Sequence, residues 1–299
     1  MDCSELDAKF GSRGVLEFGP GAGGLTCARI TSAACQATIY LEGGNVTEWT
    51  PAGSRPALFA SRQSHFAAGQ AIRGGVPVCW PWFGPHPRES AWPGHGFARL
   101  LGWEVEATRI GDAGKVAIVL LLKSSAATRH YVPWDFELRL RVTAGPQLIL
   151  KLETTNTGLD SFTIEEALHT YFAVADVRAC RVMGLNGLVY LDKVEAMKRR
   201  RQDGAVSFSG ETDRVYLDAT GTTRIIDPGL GRTISIDKAG SRNTVVWNPW
   251  VEKAHRMADF GDEEWPAMLC VETANVGAAA VEVRPGDRHE LRAVISVGE

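Results

Sequence analysis

Apolar and charged residues alternate with a period of two along much of the chain, most cleanly in Phe136-Glu137-Leu138-Arg139-Leu140-Arg141-Val142. Successive side chains of an extended segment leave opposite faces, so this stretch turns its hydrophobic residues toward a core and its charges toward water. Strand-like runs recur at 25–30, 103–110, 116–122, 147–155, 162–174, 233–237, 281–284 and 290–296, separated by Gly, Pro, Asn or Asp. A helical period is scarce, and the best stretch for it is 252–260. Strands do not alternate with long helices, which argues against a parallel α/β sheet. The pattern predicts an all-β protein of two stacked antiparallel sheets with long loops and few short helices, a sandwich large enough to carry a ligand on one concave sheet.

With 299 residues and no linker, low-complexity tract or internal repeat, one domain over 1–299 is the expectation, with 1–24 as a loosely ordered N-terminal extension. The 32 basic and 35 acidic side chains leave a net charge of −3, so no overall basic field exists to hold nucleic acid or an anionic membrane. Any anion must be bound locally. Lys198-Arg199-Arg200-Arg201 is the sole basic run, and without interleaved aromatics it reads as a solvated loop or an edge strand guarded by charge. The six cysteines contain no Cys-x-x-Cys pair and are too sparse for a disulfide framework. The acidic start lacks the features of a secretory signal, and no apolar run reaches membrane-spanning length. A cytoplasmic monomer with free thiols is the expectation.

Candidate chemistry begins at Arg73-Gly74-Gly75-Val76-Pro77-Val78-Cys79-Trp80-Pro81-Trp82-Phe83-Gly84-Pro85 and His95-Gly96-Phe97-Ala98-Arg99. Glycines admit close backbone approach, prolines stiffen turns, aromatic rings cover apolar sugar faces, and arginine offers a planar fork to phosphate. The same residues also suit a buried aromatic plug under a loop, although two arginines are hard to bury without a partner. His169 lies in the apolar and aromatic run Ala167-Leu168-His169-Thr170-Tyr171-Phe172, where it is either a proton-transfer group or a hydrogen-bonded core histidine. Glu272 interrupts Leu269-Cys270-Val271-Glu272-Thr273-Ala274. It either faces water, pairs with a cation, or is partly desolvated with a raised pKa, the last a state that suits a general base. Paired carboxylates for glycoside hydrolysis, spaced metal-ligand histidines, a nucleophile elbow and a nucleotide phosphate loop are not evident.

Taken in order, Arg73-Gly-Gly-Val-Pro, Trp80-Pro-Trp-Phe-Gly, His95-Gly-Phe-Ala-Arg99, Ala167-Leu-His169-Thr-Tyr-Phe, Thr212-Asp213-Arg214-Val-Tyr and Cys270-Val-Glu272 closely resemble the glucose-6-phosphate 1-epimerases, or hexose-6-phosphate mutarotases. The resemblance implies a galactose-mutarotase-like β-supersandwich and interconversion of the α and β anomers of hexose 6-phosphates, chiefly glucose 6-phosphate, with no cofactor and no metal. It implies that His169 and Glu272 are catalytic. Arg73, His95, Arg99 and Asp213 would contact substrate, the two arginines holding the phosphate. Gly94 departs from relatives that carry a ligand-touching glutamine there. On this reading an ionised Glu272 removes the C1 hydroxyl proton while a protonated His169, across the sugar ring, supplies one to the ring oxygen. An epimerase of unphosphorylated aldoses or a noncatalytic sugar-binding module are the alternatives.

Overall fold

The alternating segments assemble into two eight-stranded antiparallel sheets, seen in a computed structural model that describes residues 1–298. One sheet runs in the order Arg181–Met183, Thr223–Asp227, Arg232–Ala239, Arg288–Gly298, Gln147–Asn156, Phe136–Ala144, Val116–Lys123, Glu104–Ile110. Its register puts Val142, Leu150 and Ala293 in one row and Leu140, Leu152 and Leu291 in the next, all buried. The intervening Arg139, Arg141, Lys151 and Glu153 face outward on the same strands. Each buried Leu or Val stabilises the fold by about 1.5–3 kcal/mol. A one-residue slip would turn that whole set to water, so the alternation fixes the pairing.

The second sheet runs Lys198–Arg201, Val189–Asp192, Thr212–Tyr216, Asn243–Asn248, Met268–Asn275, Glu166–Leu168, Val78–Cys79, with Tyr171–Ala173 also paired to Met268–Asn275. Its central strands are buried throughout, as Asn243–Asn248 and Met268–Asn275 show. This sheet carries the chemistry. The basic run forms its outer edge strand, with all four residues exposed.

Three expectations change. The run 162–174 is not one strand but three short ones, Phe162–Ile164, Glu166–Leu168 and Tyr171–Ala173. The first pairs with Val281–Val283, while the others pair with Met268–Asn275. Glu165 sits at the switch, where its carboxylate accepts from the backbone N–H groups of Phe83 and Gly277. The helix expected at 252–260 is one turn, Trp250–Ala254, and the chain after it turns to point Asp259 inward. Finally, the 1–24 stretch holds defined elements. Asp2 and Glu5 form a reciprocal cap on the helix Cys3–Phe10. The strand Leu16–Pro20 then pairs with Thr26–Thr31 in a four-stranded sheet. No helix among the described residues is long and apolar enough to cross a membrane.

Candidate active site

Antiparallel partners share a face of the sheet, so the register alone gathers a site from distant sequence. Asp213, Trp247, Cys270 and Tyr171 lie directly opposite one another across four strands. Glu272 is two residues beyond Cys270 and therefore projects from the same side. His169 stands two residues before Tyr171, and the two rings stack with centroids 4.9 Å apart and planes at 15°. A cavity of about 270 Å³ opens on this face, lined by His169 and Glu272 with Arg73, His95, Lys193 and Asp213 among its polar walls and Phe83 and Trp247 among its aromatic ones. That volume is at the small end for ligand pockets, which suits a single sugar ring.

The loops that close the cavity depend on glycine. At Gly75, φ is +67° and an added Cβ would lie 2.3 Å from the Val46 carbonyl oxygen. Gly96 has φ +73° and its Cβ would lie 1.9 Å from the Trp80 carbonyl oxygen. Only glycine allows the backbone so close. His95, between Gly94 and Gly96, also adopts positive φ, which histidine tolerates better than most residues. It is locked to the facing turn in both directions: its N–H donates to the Gly84 carbonyl at 2.8 Å, and its Nδ1 accepts from the Gly84 N–H at 3.4 Å. Burial, reinforced by Arg99 and His169, pushes His95 well below the ordinary imidazole range. With Nδ1 accepting, the neutral ring carries its proton on Nε2 and offers a donor for a sugar oxygen.

His169 Nε2 and Glu272 Oε1 lie 3.3 Å apart, at 10% and 1% side-chain exposure. The expectation of two groups on opposite sides of a ring gives way to a contact pair. Neither oxygen of Glu272 has a hydrogen-bond partner, and His169 Nδ1 is likewise buried without one. Such orphaned buried atoms are uncommon and point to groups that a ligand satisfies. Burial pushes the Glu272 carboxyl well above its usual range, with Asp213 adding to the effect against Lys193. Burial pushes His169 well below its own, and the nearby Arg99 and Arg73 push it further. Both shifts oppose charge, the imidazolium on His169 and the carboxylate on Glu272.

Arg73 lines the cavity and is held from behind by Asp259, whose Oδ2 accepts from Nε at 3.1 Å and Nη2 at 3.0 Å, and by the Tyr171 hydroxyl at 3.0 Å from Nη1. Arg99 is not among the lining residues: its Nη2 donates to the Gly94 carbonyl at 2.8 Å, and its buried Nε has no partner. Gly94 thus serves through its backbone at the position where glutamine stands in some relatives. Asp213 is buried, which raises its carboxyl, but Lys193 Nζ at 3.0 Å opposes the shift.

All six expected site residues fall in this one region, five of them on the cavity wall. Sequence reasoning missed Lys193 and Lys253. Lys193 follows the strand Val189–Asp192, pairs with Asp213 and lies over the Phe83 ring at 5.4 Å. Lys253 pairs with Glu211 at 2.9 Å from the one-turn helix after Trp247-Asn248-Pro249. Asp259 was missed as the partner of Arg73. Nothing in local pattern separates these residues from solvated loop charges; an unpaired buried arginine was the available signal for Asp259.

The two antiparallel sheets and the buried His–Glu pair on one of them are what comparison with known proteins explains. Residues 26–296 match the aldose 1-epimerase family model, and the chain belongs to that family. It is 39% identical over 271 residues to a protein of Cenchrus ciliaris provisionally named glucose-6-phosphate 1-epimerase, covering 88% of this chain and 81% of that one. A protein of Escherichia coli K12 with the same provisional name is 38% identical over 240 residues, covering 80% and 79%. A crystal structure from Salmonella typhimurium, provisionally titled a mutarotase, superposes with a TM-score of 0.89 at 34% identity, covering 95% of this chain and 94% of that one.

Proposed function

We propose that the protein interconverts the α and β anomers of hexose 6-phosphates, chiefly glucose 6-phosphate, with His169 and Glu272 as the proton-transfer pair. The observation that carries this reading is the 3.3 Å contact between two buried groups whose remaining polar atoms lack partners, beside a cavity-lining arginine. The C1 hydroxyl oxygen and the ring oxygen are bonded to the same carbon, so two groups standing side by side can reach both.

Arg99 and Arg73 act on His169 in the same sense as burial, disfavouring its charged form. A phosphate dianion on Arg73, near Arg99, offsets their positive field. With the phosphate bound, His169 as the imidazolium is the acid for the ring oxygen, while the Glu272 carboxylate takes the C1 hydroxyl proton. The C1–ring-oxygen bond breaks as the C1 carbonyl forms. Rotation about C1–C2 presents the other carbonyl face, and reclosure with reversed proton roles yields the opposite anomer. His95 Nε2–H and the Asp213 carboxyl hold sugar oxygens, and the faces of Phe83 and Trp247 cover the ring. General acid and base assistance supplies about 10²–10⁴-fold for each group.

Saturation-transfer NMR of anomer exchange over glucose, galactose and mannose 6-phosphates and their unphosphorylated sugars tests the proposal. Faster exchange of phosphorylated sugars than of free ones is expected. Equal or greater activity on free aldoses would replace it with an epimerase of unphosphorylated sugars, and no acceleration of any sugar with a noncatalytic binding role.

A further inference from the structure

Arg73 carries five N–H donors, and the protein uses three: Nε and one from Nη2 go to Asp259, and one from Nη1 goes to Tyr171. One N–H remains on each of Nη1 and Nη2 for a ligand. Asp259 and Tyr171 are not among the residues lining the cavity, whereas Arg73 is. The phenol that closes this arrangement is 1% exposed and also lies flat against the His169 ring at 4.9 Å. Trp247 packs edge-on to both rings, with centroids 6.0 Å from His169 and 5.8 Å from Tyr171, so the pair has little room to tilt.

We propose that Tyr171 is a positioning residue that joins the anion-binding end of the cavity to its proton-transfer end, aiming Arg73 through its hydroxyl and His169 through its ring. This rests on the reading of Arg73 as a phosphate ligand. A single rigid group then sets the distance between the distal phosphate and the anomeric centre, so a phosphorylated hexose is held in reacting register and a free hexose is held by its ring alone. Fixing that span turns phosphate affinity into productive orientation.

Two substitutions separate the two contacts. Tyr171→Phe keeps the ring stack and deletes the bond to Arg73; Tyr171→Leu deletes both. Inorganic phosphate binding, followed by tryptophan fluorescence from Trp247, should weaken about tenfold or more in Tyr171→Phe, the low end of the range for a lost hydrogen bond to a charged group. In an Arg73→Gln background the same change should cost less than about twofold, because the bond is already gone. Arg73→Lys, which keeps a cation against Asp259, serves as a second background should Arg73→Gln unfold. Tyr171→Phe should raise KM for glucose 6-phosphate by a similar factor with kcat changed less than about threefold, while Tyr171→Leu lowers kcat at least tenfold.

Equal cost of Tyr171→Phe in the wild-type and Arg73 backgrounds would overturn the proposal, leaving the tyrosine a packing residue, as would Tyr171→Leu with unchanged kcat. If the wild-type protein fails to speed hexose 6-phosphate exchange yet the phosphate cycle is non-additive, the epimerase reading falls and the link between Tyr171 and Arg73 stands. If the exchange is fast and the cycle additive, only the link falls.

Discussion

Replacing Glu272 by Gln changes one oxygen of a buried carboxyl to an amide nitrogen, leaves the volume nearly unaltered, and should move activity and stability in opposite directions. Activity should fall about 10²–10⁴-fold, the share of one general acid–base group, because an amide neither takes the C1 hydroxyl proton nor returns it. Stability should rise, by an amount that depends on pH. The Glu272 carboxyl is raised in the folded protein by burial and has an ordinary value when the chain unfolds. The folded state therefore binds more protons than the unfolded state above the ordinary carboxylate range. Its contribution is fully present below that range and is lost as pH rises toward the raised folded value. Each pH unit in the interval costs the wild type at most about 1.4 kcal/mol relative to the glutamine variant. Between pH 5 and pH 7 the gap should widen by up to about 2.6 kcal/mol, read as a difference in urea midpoint at constant m. Saturation-transfer NMR on the same samples gives the activity. Parallel stability curves from pH 5 to pH 8 would refute the raised carboxyl, and near-normal exchange by the folded variant would remove Glu272 from the mechanism.

His169→Asn should also lower exchange by about 10²–10⁴-fold for phosphorylated and free hexoses alike, since the imidazole acts on the ring oxygen that both share; saturation transfer on the two substrates checks it. Gly96→Ala should destabilise by more than about 2 kcal/mol, because a methyl group cannot occupy a site 1.9 Å from the Trp80 carbonyl oxygen, and denaturant midpoints measure the loss. His289 is depressed by burial, but its bond to Glu166 at 2.7 Å outweighs that and raises it above the ordinary imidazole value. Its stabilising effect is present below about pH 6.5 and fades as pH rises through the raised value. His289→Gln should thus cost about 1.5–3 kcal/mol at pH 5.5 and less at pH 8.5, seen by thermal unfolding at the two pH values.

Alternation by itself determined the sheets. A charge every second residue in 136–142 permits one pairing register, and the structure has it, because any slip exposes a row of leucines. His169, Glu272, Arg73, His95 and Arg99 stood out as polar groups set among apolar or glycine-rich neighbours, where burial without function is costly, and Asp213 only through the family resemblance. What the chain could not disclose was distance. His169 and Glu272 are separated by about a hundred residues, and only the pairing of Glu166–Leu168 and Tyr171–Ala173 against Met268–Asn275 sets them in contact instead of across a ring. The downward push on His169 comes from burial and from the field of two arginines, neither of which a linear pattern encodes. Lys193, Lys253 and Asp259 joined the site for the same reason: a surface-type charge becomes a half-buried partner only when another element closes over it, and local residue patterns carry no record of that closure.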